Sequence, residues 1–321
     1  MGEPRRVLVK VPSHIHMGNP DLSGDYGRLY GTLGMVLEDP HVLIEAMPGE
    51  GCECSRRDVI EAYTKISREL ECTAKIRVAR EIPGHVGLGS TTALYLGMAR
   101  AITLMCGHTW FDPVRWALKL GRGTVSALGV YTFIYGGLVF DAGFRLERKG
   151  REVPPILFRA EPPAWMRIII ALPRRPLPSI LAIKEREEEI LDHMPRMDPS
   201  FADRVSRMLL MGILGNAASG DWQEAGRYIT MFNRVLGEYW GKEQGGTYCC
   251  DESSKLIDEM LASGAIFAGQ SSWGPTVYGA FHEETVEKAV NHVKRVLDDV
   301  GGGALWVTRP SIRGAEVMLE W

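Results

Sequence analysis

A chain of 321 residues is longer than one hydrophobic core usually serves, so two packed domains are expected. With 45% hydrophobic and 24% charged residues, the composition is that of an ordinary soluble globular protein and excludes a disordered tail, a fibre and a membrane-embedded bundle. Thirty-seven Lys and Arg against 40 Asp and Glu leave a net charge of −3, which provides no global basic field for nucleic acid, while a local basic pocket stays open.

In chain order, the charged start Met1 to Arg6 is too short and polar for a secretory leader, so a cytoplasmic protein is expected. Val7 to Val11 reads as a strand, and the glycine-punctuated stretch Gly18 to Gly34 as loop and turn. Met35–Leu37 and His41–Ala46 flank Asp39-Pro40 and read as a hairpin. Asp58–Leu70 has helical periodicity, Thr73–Ala79 alternates as a strand, and Ser90–Leu104 carries a strong helix signal. A helix Pro113–Leu120 with Asp112 as its cap follows, then a strand over Thr132–Phe140. The uncharged run Gly123–Phe140 resembles a membrane span only until its glycines are counted, since Gly129 and Gly136-Gly137 break it below the length a span needs. No membrane contact is expected.

The proline pairs 154-155 and 162-163 bracket a strand Ile156–Arg159 and suggest a boundary there, giving domains 1–160 and 161–321. The second half reads as strand Met166–Leu172, helices near Lys184–His193, Phe201–Ala218, Trp222–Glu238 and Ser253–Ser263, strands Ala265–Ala268 and Thr276–Phe281, helix Glu283–Asp298, and closing strands Ala304–Thr308 and Ala315–Glu320. The class is α+β. Six cysteines, at 52, 54, 72, 106, 249 and 250, form no Cys-x-x-Cys pair, so reduced structural thiols are expected; the vicinal pair Cys249-Cys250 is poorly placed for an unstrained disulfide.

The sharpest local signal is Pro83-Gly84-His85-Val86-Gly87-Leu88-Gly89-Ser90-Thr91-Thr92-Ala93, a glycine-rich loop feeding a helix. Unpaired amides and the positive end of the helix dipole converge there, so Gly87, Leu88, Gly89, Ser90, Thr91 and Thr92 are expected to bind phosphate; the alternative is a turn with Ser90 as a simple cap. The loop lacks a Walker ending and a dinucleotide fingerprint.

This loop resembles the phosphate motif of the GHMP kinase superfamily. Three further segments resemble the beta-ribofuranosylaminobenzene 5′-phosphate synthase family: Pro12 to Gly18 with Asp21-Leu22-Ser23-Gly24 and Gly27-Arg28; Gly121-Arg122-Gly123, then Ser126, Gly129 and Tyr135-Gly136-Gly137 through Asp141 and Gly143; and Gly269 to Thr276. His14, Tyr30, Ala93 and Ile134 depart from that family's pattern. The resemblance implies a two-domain GHMP kinase fold, with an N-terminal domain like ribosomal protein S5 domain 2 and a ferredoxin-like C-terminal domain. It further implies an enzyme that joins phosphoribosyl pyrophosphate to a para-substituted benzoate, with loss of carbon dioxide and pyrophosphate, in methanopterin biosynthesis. Gly129 stands where mevalonate-type kinases place a catalytic Asp, which argues against phosphoryl transfer. An ATP-dependent small-molecule kinase and a catalytically silent ligand-binding protein remain the rival readings.

Within that frame His16, Asp21, Arg28 and Arg122 are the expected catalytic residues, and Asp21 is the expected Mg²⁺ ligand, its alternative being an Asx turn with Ser23-Gly24. Arg28 and Arg122 can match a carboxylate or phosphate, although most arginines are solvated surface groups. Ser271, Ser272 and Trp273 are expected to bind substrate, Trp273 by stacking on the acceptor ring unless it merely packs. Small-molecule substrates are the expected partners, and a homodimer stays open.

Overall fold

Alternating burial along Arg6–Gly18, with Val7, Val9 and Val11 inside, makes this segment β1, a central strand of 13 residues. In the computed structural model, which describes residues 4–54, 56–174, 189–190 and 193–321, β1 lies between β3 (Leu33–Met47) and a strand from the far end of the sequence, Glu316–Glu320. The short β2 (Arg28–Leu29) precedes β3. β4 (Cys52–Glu53) and β5 (Lys75–Arg80) extend the sheet beyond β3, and β6 (Leu138–Asp141) pairs with its first half. β7 (Phe144–Arg145) pairs only with β2, while β8 (Ile156–Ala160) flanks β6.

The expected hairpin at Asp39-Pro40 is absent. Leu33 to Leu37 pair with residues 13–18 of β1, and Val42 to Ala46 pair with residues 7–11, so both halves lie on the same partner and not on each other. A register shift between Pro12 and Ser13 absorbs the interruption as a bulge.

Of the helices of this half, α2 (Ser90–Met105) and α4 (Leu128–Ile134) pack on the sheet, while α1 (Arg57–Leu70) packs on α2 and α3 (Pro113–Lys119) on α2 and α4. α1 buries Val59, Ala62 and Ile66 along one stripe, whereas α2 is buried nearly all round, the pattern of a helix enclosed by a sheet and other helices. Asp112 caps α3 as expected, accepting from the amides of Val114 and Arg115. The strand expected over Thr132–Phe140 is half helix: α4 runs to Ile134, Gly136-Gly137 forms the joint, and the strand begins only at Leu138. At the joint a Cβ on Gly136 would lie 2.2 Å from the Arg313 amide nitrogen, so only glycine lets the two segments cross.

The second sheet is antiparallel, in the order β10 (Phe267–Gln270), β11 (Val277–His282), β9 (Met166–Pro173), β12 (Gly303–Thr308). Between β9 and β10 come α5 (Pro199–Arg207), which continues through a π-helical stretch Met208–Leu214 into a last turn Gly215–Ala218, then α6 (Trp222–Tyr239) and α7 (Asp251–Ala262). α8 (Val286–Asp299) joins β11 to β12. This is the strand order of a ferredoxin-like unit. The helix expected over 184–193, with Glu185, falls largely outside the described residues. The last strand, β13 (Glu316–Glu320), leaves this unit and joins the first sheet, so a division at residue 160 separates the sheets except for that strand.

Four of the six cysteines differ from expectation: Cys52 pairs with Cys54, and Cys72 with Cys106, as disulfides. Cys72 follows the end of α1 and Cys106 the end of α2, so the packing of these helices brings their Cα atoms to 6.2 Å. Cys249 and Cys250 are free thiols.

Candidate active site

The residue that begins α2 decides what its N-terminus can do. Gly89 is the N-cap, in the left-handed region at φ 76°, and no side chain caps the helix. Ser90 is therefore the first residue of the helix and not its cap. Gly87, Gly89, Ser90, Thr91 and Thr92 all line one cavity of about 540 Å³, onto which the first-turn amides open. Such free amides at the positive end of a 16-residue helix have the chemistry that suits an anion. Leu88 is buried beneath the loop, its carbonyl accepting from the His14 amide at 3.4 Å.

Three distant segments are joined behind the loop by one hydroxyl. Ser271 Oγ donates to the Gly87 carbonyl at 2.6 Å and accepts from the His16 amide at 2.9 Å, and the Ser272 amide donates to the His16 carbonyl at 3.0 Å. Ser271 is fully buried and does not line the cavity, so its part is structural, whereas His16, Ser272 and Trp273 do line it. Asn233 on α6 makes a second junction: its Nδ2 donates to the carbonyls of Met17 (3.0 Å) and Gln270 (2.9 Å), and its Oδ1 accepts from the Gln270 amide (2.9 Å). These bonds couple the end of β1 to the second sheet across the cavity floor.

Of the expected charged residues, Arg122 reaches the cavity and donates through Nε to Thr92 Oγ1 at 3.1 Å, on the first turn of α2. Asp21 and Arg28 are not among its lining residues. Asp21 Oδ1 accepts from the Ser23 amide and hydroxyl and from the Gly24 amide, the Asx turn that was the alternative to metal binding. Arg28 donates to the Gly143 carbonyl at 2.8 Å, which fastens the β2–β7 ribbon.

Sequence reasoning missed Asp58 and Tyr95, on α1 and α2, and the aromatic lining. Among the described residues Asp58 is the one carboxylate lining the cavity. Burial works to raise its pKa, but the hydrogen bond and charge of Arg56, 2.6 Å away, outweigh it and hold the carboxyl below its usual range. Tyr95 donates to Asp58 Oδ2 at 3.2 Å, and burial pushes its hydroxyl up to about 12. Leu236, Trp240, Tyr248 and Trp273 also line the cavity, with Trp240 edge-on to Trp273 at 4.8 Å between centroids. Asn233, Leu236, Gly237 and Trp240 recur at helical spacing along α6, a signal present in the sequence; whether such a stripe faces a core or a cavity is decided only by what packs opposite.

The position of the kinase acid is closed. A Cβ on Gly129 would lie 2.9 Å from Thr92 Cβ, so the space is already taken by the threonine that pairs with Arg122. Gly129→Asp is accordingly expected to lower the melting temperature by several degrees through overpacking, without conferring ATP-dependent phosphorylation of homoserine or mevalonate; a coupled ADP-release assay checks it.

The fold and cavity define a class, and family models agree. Residues 57–137 match the GHMP kinases N terminal domain and residues 213–299 match GHMP kinases C terminal, together more than half of the chain. The chain belongs to the GHMP kinase superfamily. A beta-ribofuranosylphenol 5′-phosphate synthase from Methanothermobacter thermautotrophicus is 29% identical, over 96% of this chain and 98% of the relative. A protein of the same name from Methanocaldococcus jannaschii is 25% identical, over 89% of this chain and 93% of its own. Among solved structures, homoserine kinase from Cytophaga hutchinsonii superposes with a TM-score of 0.71 at 15% identity over 99% of both chains. Leishmania (L. major) mevalonate kinase gives 0.63 at 12% identity, over 94% of this chain and 95% of its own. At such identities these kinases speak for the fold alone. Among the described residues no helix is long and apolar enough to cross a membrane.

Proposed function

We propose that the protein joins phosphoribosyl pyrophosphate to a para-substituted benzoate, releasing carbon dioxide and pyrophosphate, as a synthase of the kind its relatives are named for. The observation that carries this reading is a single cavity lined by two unlike sets of groups: an uncapped helix N-terminus with Arg122, and the apolar and aromatic side chains of Trp240, Trp273, Tyr248 and Leu236. A diphosphate suits the first set and an aromatic ring the second. The word phenol in the relatives' name favours para-hydroxybenzoate over para-aminobenzoate as the acceptor.

In the proposed reaction the bond from ribose C1 to the diphosphate breaks and its electron pair leaves with the diphosphate, which the loop amides and Arg122 stabilise. The ring carbon bearing the carboxylate attacks C1. The carbon–carboxylate bond then breaks, its electrons restore aromaticity, and carbon dioxide departs. The protein's contribution is charge stabilisation and alignment, with no covalent enzyme intermediate. A divalent cation such as Mg²⁺ would supply charge neutralisation on the diphosphate. Among the described residues no group of three His, Cys, Asp or Glu is placed to hold a metal. Asp58 is the residue that would meet one carried in by substrate oxygens, in keeping with the few protein ligands Mg²⁺ takes at such sites.

Incubation with phosphoribosyl pyrophosphate, Mg²⁺ and para-hydroxybenzoate should release carbon dioxide and pyrophosphate in equal amounts. Unsubstituted benzoate should react far more slowly, because the para oxygen donates electron density to the attacked carbon. Pyrophosphate without matching carbon dioxide would indicate hydrolysis or another acceptor, and equal rates for the two benzoates would reject ring attack.

A further inference from the structure

His14 lies on the cavity wall and has no part in the reaction as drawn above. β1 places it two residues before His16 on the same face, with 7% of its surface accessible. Its Nδ1 lies 2.8 Å from Thr132 Oγ1 on α4, and among the described residues the ring makes no other hydrogen bond, which leaves Nε2 without a partner there. Thr132 is itself buried and forms no bond back to its own helix. The ring lies directly against the cap of α2: a Cβ on Gly89 would fall 2.1 Å from His14 Cε1 and 2.7 Å from Nε2. A polar side chain more than nine-tenths buried thus keeps one ring nitrogen open where the first-turn amides converge.

We propose that His14 is a neutral donor to the anion bound at the start of α2, giving a hydrogen bond from Nε2–H, with Thr132 setting the tautomer that makes this possible. Two arrangements of the pair exist. If Nδ1–H donates to Thr132, the threonine proton is left in a buried place without an acceptor, and Nε2 turns a lone pair toward the anion. If Thr132 O–H donates to Nδ1, both groups are satisfied and Nε2–H meets the anion. The second arrangement is the one an anion selects. Burial first, and the neighbouring His16 second, pull the ring's pKa down to about 3, so at neutral pH the donor carries no charge. Such a group can bind and orient a departing diphosphate but has no extra proton to hand to it as an acid. This inference rests on the anion site of the proposed function and is independent of the aromatic acceptor.

The test uses protein labelled with ¹⁵N-histidine and inorganic pyrophosphate as the probe. The expected spectrum has His14 with Nε2 protonated and Nδ1 bare, and Nε2 shifts as pyrophosphate saturates. His14→Phe, which keeps a ring and removes the donor, should weaken pyrophosphate binding about tenfold, the effect of one hydrogen bond to a charged group. Thr132→Val should weaken it less. His14→Gln, which restores an N–H, should recover part of the affinity, so that a loss from misfolding is told apart from loss of the donor. The reverse tautomer, or an Nε2 resonance that does not respond while pyrophosphate binds, overturns the proposal. Pyrophosphate bound with the expected Nε2 response, in a protein that turns over no benzoate, would leave His14 assigned and reject the synthase reading. Turnover with an indifferent Nε2 would do the opposite, and no anion binding at all would reject both.

Discussion

Gly89→Ala should reduce affinity for pyrophosphate by about 100-fold or more, the loss of two or so hydrogen bonds to a charged group. Gly89 is held at φ 76°, where any Cβ is strained by about 1–2 kcal/mol. Strain alone would be tolerable. The larger effect is steric, because the new Cβ would lie 2.1 Å from the His14 ring, and His14 is fixed by burial and by Thr132. Either the loop lifts away, carrying the amides of residues 90–92 with it, or His14 leaves its place; both dismantle the anion site. Gly107→Ala is the matched control, since φ is 73° there and nothing lies within 4 Å of the added Cβ. Calorimetric titration with pyrophosphate should find the control near the parent. A Gly89→Ala protein that binds as tightly as the control would show that the anion sits elsewhere.

Asp141→Ala is expected to cost about 3–5 kcal/mol of stability, measured by denaturant unfolding. The carboxylate is almost wholly buried and accepts from three amides: Thr32 at 3.2 Å, Gly143 at 2.9 Å and Ala127 at 3.1 Å. Removing it orphans donors at the start of β3, after β6 and before α4 together. Burial, outweighing those three amides, pushes the carboxyl up to about 6, above the roughly 3.9 of an unfolded chain. Between those values the folded protein binds more protons than the unfolded one, so this group's stabilising effect is complete below about pH 4 and is lost as pH rises through about 6. The stability gap between parent and variant should therefore be wider at pH 5 than at pH 7.5, and a gap that widens with rising pH would contradict the assignment.

Elements with a clean period were legible in the sequence. α1, α2 and α6 begin and end within a few residues of expectation, because one continuous pattern specifies each. The errors lie where local and distant information conflict. Asp39-Pro40 is a turn signal locally, yet β1 offers a partner to both sides of it, and long-range pairing prevails. The uncharged run before Gly136 suits a strand or a buried helix, and only its neighbours decide. For the site, the place of the glycine loop on the cavity could be read, because the loop and the helix it opens are contiguous in the sequence. Asp58, Tyr95 and Trp240 could not, since each lies on or at the end of an ordinary helix and gains its position from the packing of others. Asp21 and Arg28 show the converse, motif residues that hold a turn and a ribbon and do not line the cavity.

The return of β13 to the first sheet has a consequence for how the molecule is made. β1 is translated before every other element, and its pairing with β3 can form early, but the neighbour on its other side is translated after the whole second domain. Until then β1 is an open edge, with unpaired amides and carbonyls along residues 6–10 able to recruit a strand from another nascent chain. The side chains of β13 are all exposed, and Glu316 and Glu320 frame Val317, Met318 and Leu319. When it docks, it therefore exchanges a sticky inner edge for an outer one flanked by acidic residues, and completion of the first domain becomes a late, post-assembly event in biosynthesis.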